Sequence, residues 1–500
     1  MAVLAASKIE STLGPMGALK MVTYHRGPEL VGKITKDPTE IVSELGVQYP
    51  ALKTLEEAAK IHRRQVGDGV STMLILVAAL IVEAQDLIGK GVHPSTILRG
   101  YHKATIEAIS VIGSLSVPQP KNQDERLLET IDCGSGLLTR KFRKLLSEAA
   151  DYATFDGFLD LTTIKVVRRI GRSSDQSGLI RGVAIKKPKS HPSMPDRVED
   201  PKVALVTRKL EIRPLESKMK GEGRFPTKIT ITHGGQLPMF KSAENRMREE
   251  FAEKAQAIGV EVLLCRSKID ERVADKLARK GIFALQMVDQ EDLEAVAKAT
   301  GARIVADVDH LTTEDLGAAQ AVEVDTEEPN GLTVLKCGRG CSLLLRGSSP
   351  ERLDELEKIA KRGLLILKHS RADPKVVPGG GAIYVPLANR LRDYARRFPG
   401  REQLAIESFA NALEKIPECL SSNLGLNKVD TMIRLHARHA NGESMAGVAD
   451  LEYLASPDAY PIELTSVNKA TIRRAYEVTS LLLRVDSYFS VKDLPLVHKK

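Results

Sequence analysis

Four short turns carry the residues best suited to holding an anion: Thr12-Leu13-Gly14-Pro15-Met16-Gly17, Ile34-Thr35-Lys36-Asp37-Pro38-Thr39, Gly67-Asp68-Gly69-Val70-Ser71-Thr72 and Val377-Pro378-Gly379-Gly380-Gly381-Ala382. The third is the sharpest. It stands where a loop opens a strongly apolar helical pattern. Its two glycines let the backbone approach a bulky anion, helix-start N–H groups aim at phosphate oxygens, and the Ser71 and Thr72 hydroxyls add donors. Asp68 would hold Mg²⁺ at the same phosphates. The arrangement is not a Walker A loop, because no Gly-Lys-Ser/Thr follows. Each turn taken singly also reads as a helix cap or plain loop. Taken together, four backbone-rich turns on helical segments from both ends of the chain can converge on one nucleotide.

The elements that would position these turns are helical at both ends. From Ser71 to Leu87 apolar residues run almost all round a helix, Gly89, Gly91 and Pro94 stop it, and a second helical pattern continues through Ile112. Another helix-rich stretch runs from Tyr384 to His439. The middle alternates short strands (Val203–Val206, Ile229–Thr232, Val260–Cys265, Ile282–Val288, Arg303–Val308) with helices at Glu271–Arg279 and Glu291–Ala299, the last closed by Gly301. This alternation predicts a separate α/β domain inserted between two helical halves, with the Pro-rich Lys186–Arg197 as a hinge into it.

A chain of 500 residues with 42% apolar and 28% charged content is globular and long enough for roughly three domains. The formal charge of +8 is dilute over that length, and with 4% aromatics and no Trp the stacking platforms of single-strand binders are missing, so no nucleic-acid partner is expected. Five scattered cysteines, including Cys337 and Cys341 spaced CxxxC, indicate reduced thiols rather than a disulfide framework or a zinc site. The start shows no export signal and the longest apolar run, Met73 to Val82, is half a bilayer span, so a cytoplasmic protein without a membrane partner is expected.

TLGPMG, ITKDPTEI, VGDGVST, VVPGGGA and SSNLGLNKVDTMIRLHARH, in this order, resemble the motif set of chaperonins. The resemblance is to the group II branch, the archaeal thermosome and the eukaryotic cytosolic chaperonin. IGRSSDQSGLIRGVAIKKPKSHPSMPDRVEDPKVALV is similar to that family's intermediate-to-apical crossing, and KATGARIVADVDHLTTEDLGAAQAVE to its apical domain.

The resemblance covers nearly the whole chain. It implies a multidomain fold: a mainly α-helical equatorial ATP-binding domain (residues 1–119 and 378–500), an α+β intermediate hinge domain (120–188 and 346–377), and an α/β apical substrate-binding domain with a helical protrusion (189–345). It further implies ATP and Mg²⁺ as cofactors, other chaperonin subunits as partners in a double ring, and unfolded client proteins inside it.

Carried over motif by motif, the resemblance has Leu13, Gly14 and Pro15 lining the nucleotide phosphates and Asp68 ligating Mg²⁺. Gly69, Val70, Ser71 and Thr72 cradle phosphate, Gly380 and Gly381 pack against the nucleotide, and Glu463 contacts the ribose. Asp37 matches the catalytic carboxylate that orients the attacking water. Leu237, Met239 and Phe240 stand at the protrusion and would touch clients, although Phe240, Met247 and Phe251 on one helical face also fit packing on their own domain.

The departures from the pattern carry as much information. TLGPKG has Met16 for its Lys, the second turn reads Lys36-Asp37-Pro38, GDGVST has lost one hydroxyl, and Tyr384 replaces an acid after the glycine cluster. In the helix Glu357–Lys368, Arg362 occupies the place of the family's second catalytic Asp, by an ungapped count from the glycine cluster. A guanidinium cannot accept a proton from water. The expectation is an ATP-dependent chaperone subunit with impaired hydrolysis. The alternative is a non-hydrolysing structural or regulatory subunit of a hetero-oligomeric thermosome.

Overall fold

The computed structural model describes residues 2–26, 29–45, 49–119, 124–132, 138–155, 157–171, 173–208, 249–325, 331–448 and 461–486. Leu237, Met239 and Phe240, and the strand expected at Ile229–Thr232, lie outside the described residues. The chain divides into two compact units. Unit 1 is Met1–Ser147 with Lys358–Lys500, and unit 2 is Glu148–Glu357.

Unit 1 is built around the Val70–Gly89 helix. By length and composition this helix is apolar enough to cross a membrane. Here Met73, Ile75, Leu76, Val77 and Leu80 lie in the centre of the core, each contributing about 1.5–3 kcal/mol by burial. The helices Pro94–Leu115, Arg401–Asn423 and Thr465–Leu483 pack against it. Tyr101 marks the crossing: its hydroxyl donates to the Leu80 carbonyl at 2.9 Å and its ring meets Phe409 edge-on at 5.5 Å.

A small antiparallel sheet in unit 1 joins three distant pieces of chain, Val117–Pro118, Lys375–Pro378 and Ile462–Leu464. Val376 pairs with both Val117 and Leu464, and Val377 pairs with Glu463. Near the start, the strands Lys20–Arg26 and Glu29–Thr35 form a hairpin in which Lys20 pairs with Thr35, so the chain leaves the hairpin directly into Lys36 and Asp37.

Unit 2 has the expected α/β texture. Phe283–Leu285, Val262–Cys265, Lys202–Val206 and Ile304–Val305 form a parallel sheet in that order, with Gly317–Ala318 added antiparallel. The helix Glu271–Arg279 starts where Asp270 accepts from the Arg272 N–H at 2.8 Å, and Gln290–Thr300 ends at left-handed Gly301. A four-stranded antiparallel sheet, a mixed three-stranded sheet and the short antiparallel pair Thr154–Phe155 with Phe158–Leu159 lie in the same unit. Lys186–Arg197, expected as a hinge, lies inside unit 2, where Lys189 donates to the Met194 carbonyl and pairs with Asp196, each at 2.7 Å. Cys265, Cys337, Cys341 and Cys419 are buried free thiols. Burial pushes Cys337 up to about 11 and Cys341 up to about 12, which keeps both protonated.

Candidate functional site

The Gly67-Asp68-Gly69 turn joins two helices in unit 1. Gly67, at φ 88°, caps the Pro50–Val66 helix by donating its N–H to the Arg63 carbonyl at 3.0 Å, and Gly69, at φ 79°, caps the start of Val70–Gly89. Side chains disfavour this left-handed backbone. Space forbids one at Gly69 as well, because a Cβ there would lie 2.4 Å from Thr471 Oγ1. Asp68 is thus presented between two glycines at the positive end of a 20-residue helix. Val70 is buried, and Ser71 and Thr72 are half-buried on the first helical turn.

The glycine cluster reaches the same place from the other end of the chain. Strand Lys375–Pro378 runs straight into Gly379, whose N–H donates to the Pro461 carbonyl at 2.8 Å. The register places Glu463 beside Val377 and Gly379, and Asn468 donates to Glu463 Oε2 at 2.9 Å while accepting from the Tyr384 hydroxyl at 3.1 Å. Burial pushes the Glu463 carboxyl up to about 7, the Asp68 charge adding to the shift and hydrogen bonds from Asn468 and Gly380 opposing it. Burial, then the Glu463 and Asp68 charges, hold the Tyr384 phenol well above its ordinary range. His62 is buried with Nε2 3.3 Å from Thr471 Oγ1, and burial followed by the Arg474 charge lowers it to about 4, leaving it neutral.

The first turn closes the group. Asn423 donates to the Glu10 and Leu13 carbonyls at 2.8 Å, and Leu420 of the same helix packs against both Gly14 and Gly381. Leu13 packs on the core, Pro15 is exposed, and Lys36 donates to the Gly14 carbonyl at 2.9 Å. Asp37 is paired with Arg63 through Oδ2, and its Oδ1 accepts from the Thr39 N–H at 3.0 Å.

Arg362 has a defined seat. The Pro350–Ala372 helix lays one face along this region: Lys358 pairs with Glu40, Leu365 packs on Gly67, and His369 Nε2 lies 2.7 Å from the Gln65 carbonyl. Between them, Arg362 Nε donates to the Gly67 carbonyl at 3.1 Å and Nη2 to Asp68 Oδ1 at 2.9 Å.

These groups suit an anionic ligand with an extended body. Left-handed glycines and a helix start make up a turn that a Cβ would obstruct, with Arg362 on that turn, Lys36 on the Gly14 carbonyl and Arg63 on Asp37. One feature of the donor set departs from what the resemblance implies for Mg²⁺: Asp68, the single carboxylate that would hold the ion beside substrate phosphates, already has Oδ1 on the Arg362 guanidinium.

The profile of the TCP-1/cpn60 chaperonin family matches residues 6–492. The chain belongs to this chaperonin family. Its curated relatives include a thermosome subunit of Methanopyrus kandleri, 32% identical over 98% of this chain and 91% of the relative. The beta thermosome subunit of Thermoplasma acidophilum is 33% identical over 98% and 91%, and the alpha subunit of Aeropyrum pernix 35% identical over 96% and 88%. Within the chaperonins the chain is therefore a group II subunit.

Leu13, Gly14, Pro15, Asp37, Asp68, Gly69, Val70, Ser71, Thr72, Gly380, Gly381 and Glu463, singled out on the chaperonin resemblance, all fall in unit 1. Reasoning from sequence placed Lys36 in the second turn without giving it a role, and did not single out Arg63, Asn468 or Thr471. For the last two a signal existed, since they lie three residues apart on the helix that follows Glu463. For Arg63 none existed beyond its position one turn before Gly67.

Proposed function

We propose that this chain is an ATP-binding subunit of a group II chaperonin that assists the folding of client proteins and hydrolyses ATP slowly. The observation that carries this reading is the Arg362–Asp68 pair. The side chain standing where the family resemblance implies a second catalytic carboxylate is a cation held on the Gly67-Asp68-Gly69 loop. Asp37, the remaining carboxylate, has both oxygens engaged by Arg63 and the Thr39 N–H. The guanidinium at position 362 offers no base to line up water against a phosphate, and Asp37 is held by the charge of Arg63.

In this reading the three-domain plan of the resemblance holds, with an equatorial domain (1–119, 378–500), an intermediate domain (120–188, 346–377) and an apical domain (189–345). The subunit stands in a cytoplasmic double ring with other chaperonin subunits. Leu13–Pro15, Gly69–Thr72, Gly380, Gly381 and Glu463 hold the nucleotide, and Leu237, Met239 and Phe240 meet unfolded clients. The two engaged carboxylates also favour the second reading, a non-hydrolysing regulatory subunit of a hetero-oligomeric ring.

Phosphate release by the purified chain, and by mixed rings whose other subunits are catalytically disabled, tests the proposal. Slow turnover in wild type that rises at least about tenfold in Arg362→Asp supports it. Family-typical turnover in wild type overturns it, and complete absence of turnover with intact ATP binding selects the regulatory reading.

A further inference from the structure

We propose that the Arg362 guanidinium takes the place of the divalent cation at Asp68, so that this site binds nucleotide without Mg²⁺. The inference rests on the nucleotide-binding reading above and deepens it. Arg362 is anchored at two points of one loop, through Nε on the Gly67 carbonyl and Nη2 on Asp68 Oδ1. Side-chain exposure of 23% for Arg362 and 31% for Asp68 makes the pair partly buried, where screening by salt is reduced.

The seat is fixed by packing as well. A Cβ on Gly67 would lie 3.4 Å from the Arg362 carbonyl oxygen and 3.2 Å from Leu365 Cδ2, so helix and loop are in van der Waals contact. A divalent ion ligated by Asp68 would have to displace the guanidinium or sit beside a charge that cannot be deprotonated. A planar guanidinium already meets the demand that Mg²⁺ would meet, a positive charge between carboxylate and phosphate, with donor geometry matched to phosphate oxygens.

Calorimetric titration of the full chain with ATP, in excess MgCl₂ and in excess EDTA, tests this. The expected wild-type Kd differs by less than about threefold between the two buffers, whereas Arg362→Ala binds at least about tenfold more weakly in EDTA than in MgCl₂. Arg362→Lys, which keeps the charge, behaves nearer to wild type. Wild-type affinity that falls tenfold in EDTA overturns this inference and leaves the nucleotide reading standing. An alanine variant as indifferent to EDTA as wild type also overturns it. Wild type that binds ATP in neither buffer overturns the nucleotide reading and this inference together. Should the alanine variant fail to fold, as judged by circular dichroism, the two wild-type titrations decide alone.

Discussion

The amino group of Lys36 donates to the carbonyl oxygen of Gly14 across 2.9 Å and to that of Pro15 across 3.3 Å. A cation therefore stands on the turn that carries Met16, delivered from the end of the neighbouring hairpin. Lys36→Met should weaken ATP binding about fivefold, the effect of one partly exposed charge. Met16→Lys in the same background should recover most of the loss. Unchanged affinity in Lys36→Met, measured by titration, would show that the charge serves the turn and not a ligand.

Gly69 is the position where a side chain is least tolerable. Its left-handed backbone alone would cost about 1–2 kcal/mol on substitution. The clash with Thr471 Oγ1 adds to that, since the hydroxyl is tied to the Val467 carbonyl at 2.9 Å. Gly69→Ala should lower the urea midpoint markedly. Adding Thr471→Ala should return the steric part and leave the backbone part, and a single variant as stable as wild type would contradict the geometry.

Glu463 makes stability depend on pH. Its carboxyl ionises near its ordinary value of 4.5 in the unfolded chain and at about 7 in the fold. Between those values the folded protein holds a proton that the unfolded chain has released, so this group's contribution falls as pH rises through the window and is lowest above 7. Glu463→Gln should match wild type near pH 4.5 and exceed it increasingly up to pH 7. His62, lowered from 6.5 to about 4, acts in the opposite sense, costing stability as pH falls below 6.5. It is common to both proteins and cancels in the difference. A difference between variant and wild type that is flat across this range would rule out a raised Glu463.

Local structure was legible where short-range chemistry decides it. Glu271–Arg279 follows from its Asp270 cap and amphipathic spacing, Gly301 from the backbone only glycine adopts easily, and Val70–Gly89 from an apolar pattern on nearly every face. The candidate site was legible as a set of turns, because glycines at helix ends mark backbone reserved for close approach. Its electrostatics were not. Arg362 and Asp68 are 294 positions apart and Arg63 and Asp37 are 26 apart, and no periodicity links such pairs. Lys36 reads only as one member of a polar turn until the hairpin register brings it to Gly14. Division into two compact units at Ser147 and Glu357 was equally hidden, since the second boundary falls inside the uninterrupted Pro350–Ala372 helix.

The three-stranded sheet that aligns Glu463 with the glycine cluster also imposes an order of assembly. Its strands come from Val117–Pro118, Lys375–Pro378 and Ile462–Leu464, while unit 2 is one unbroken stretch. On a ribosome adding about 5–20 residues per second, the unbroken unit can fold while the pieces of this sheet are still being made. The candidate site is then formed later than unit 2. A nascent chain cannot complete it before Ile462–Leu464 has emerged, so occupancy by a ligand would report that translation has passed that strand.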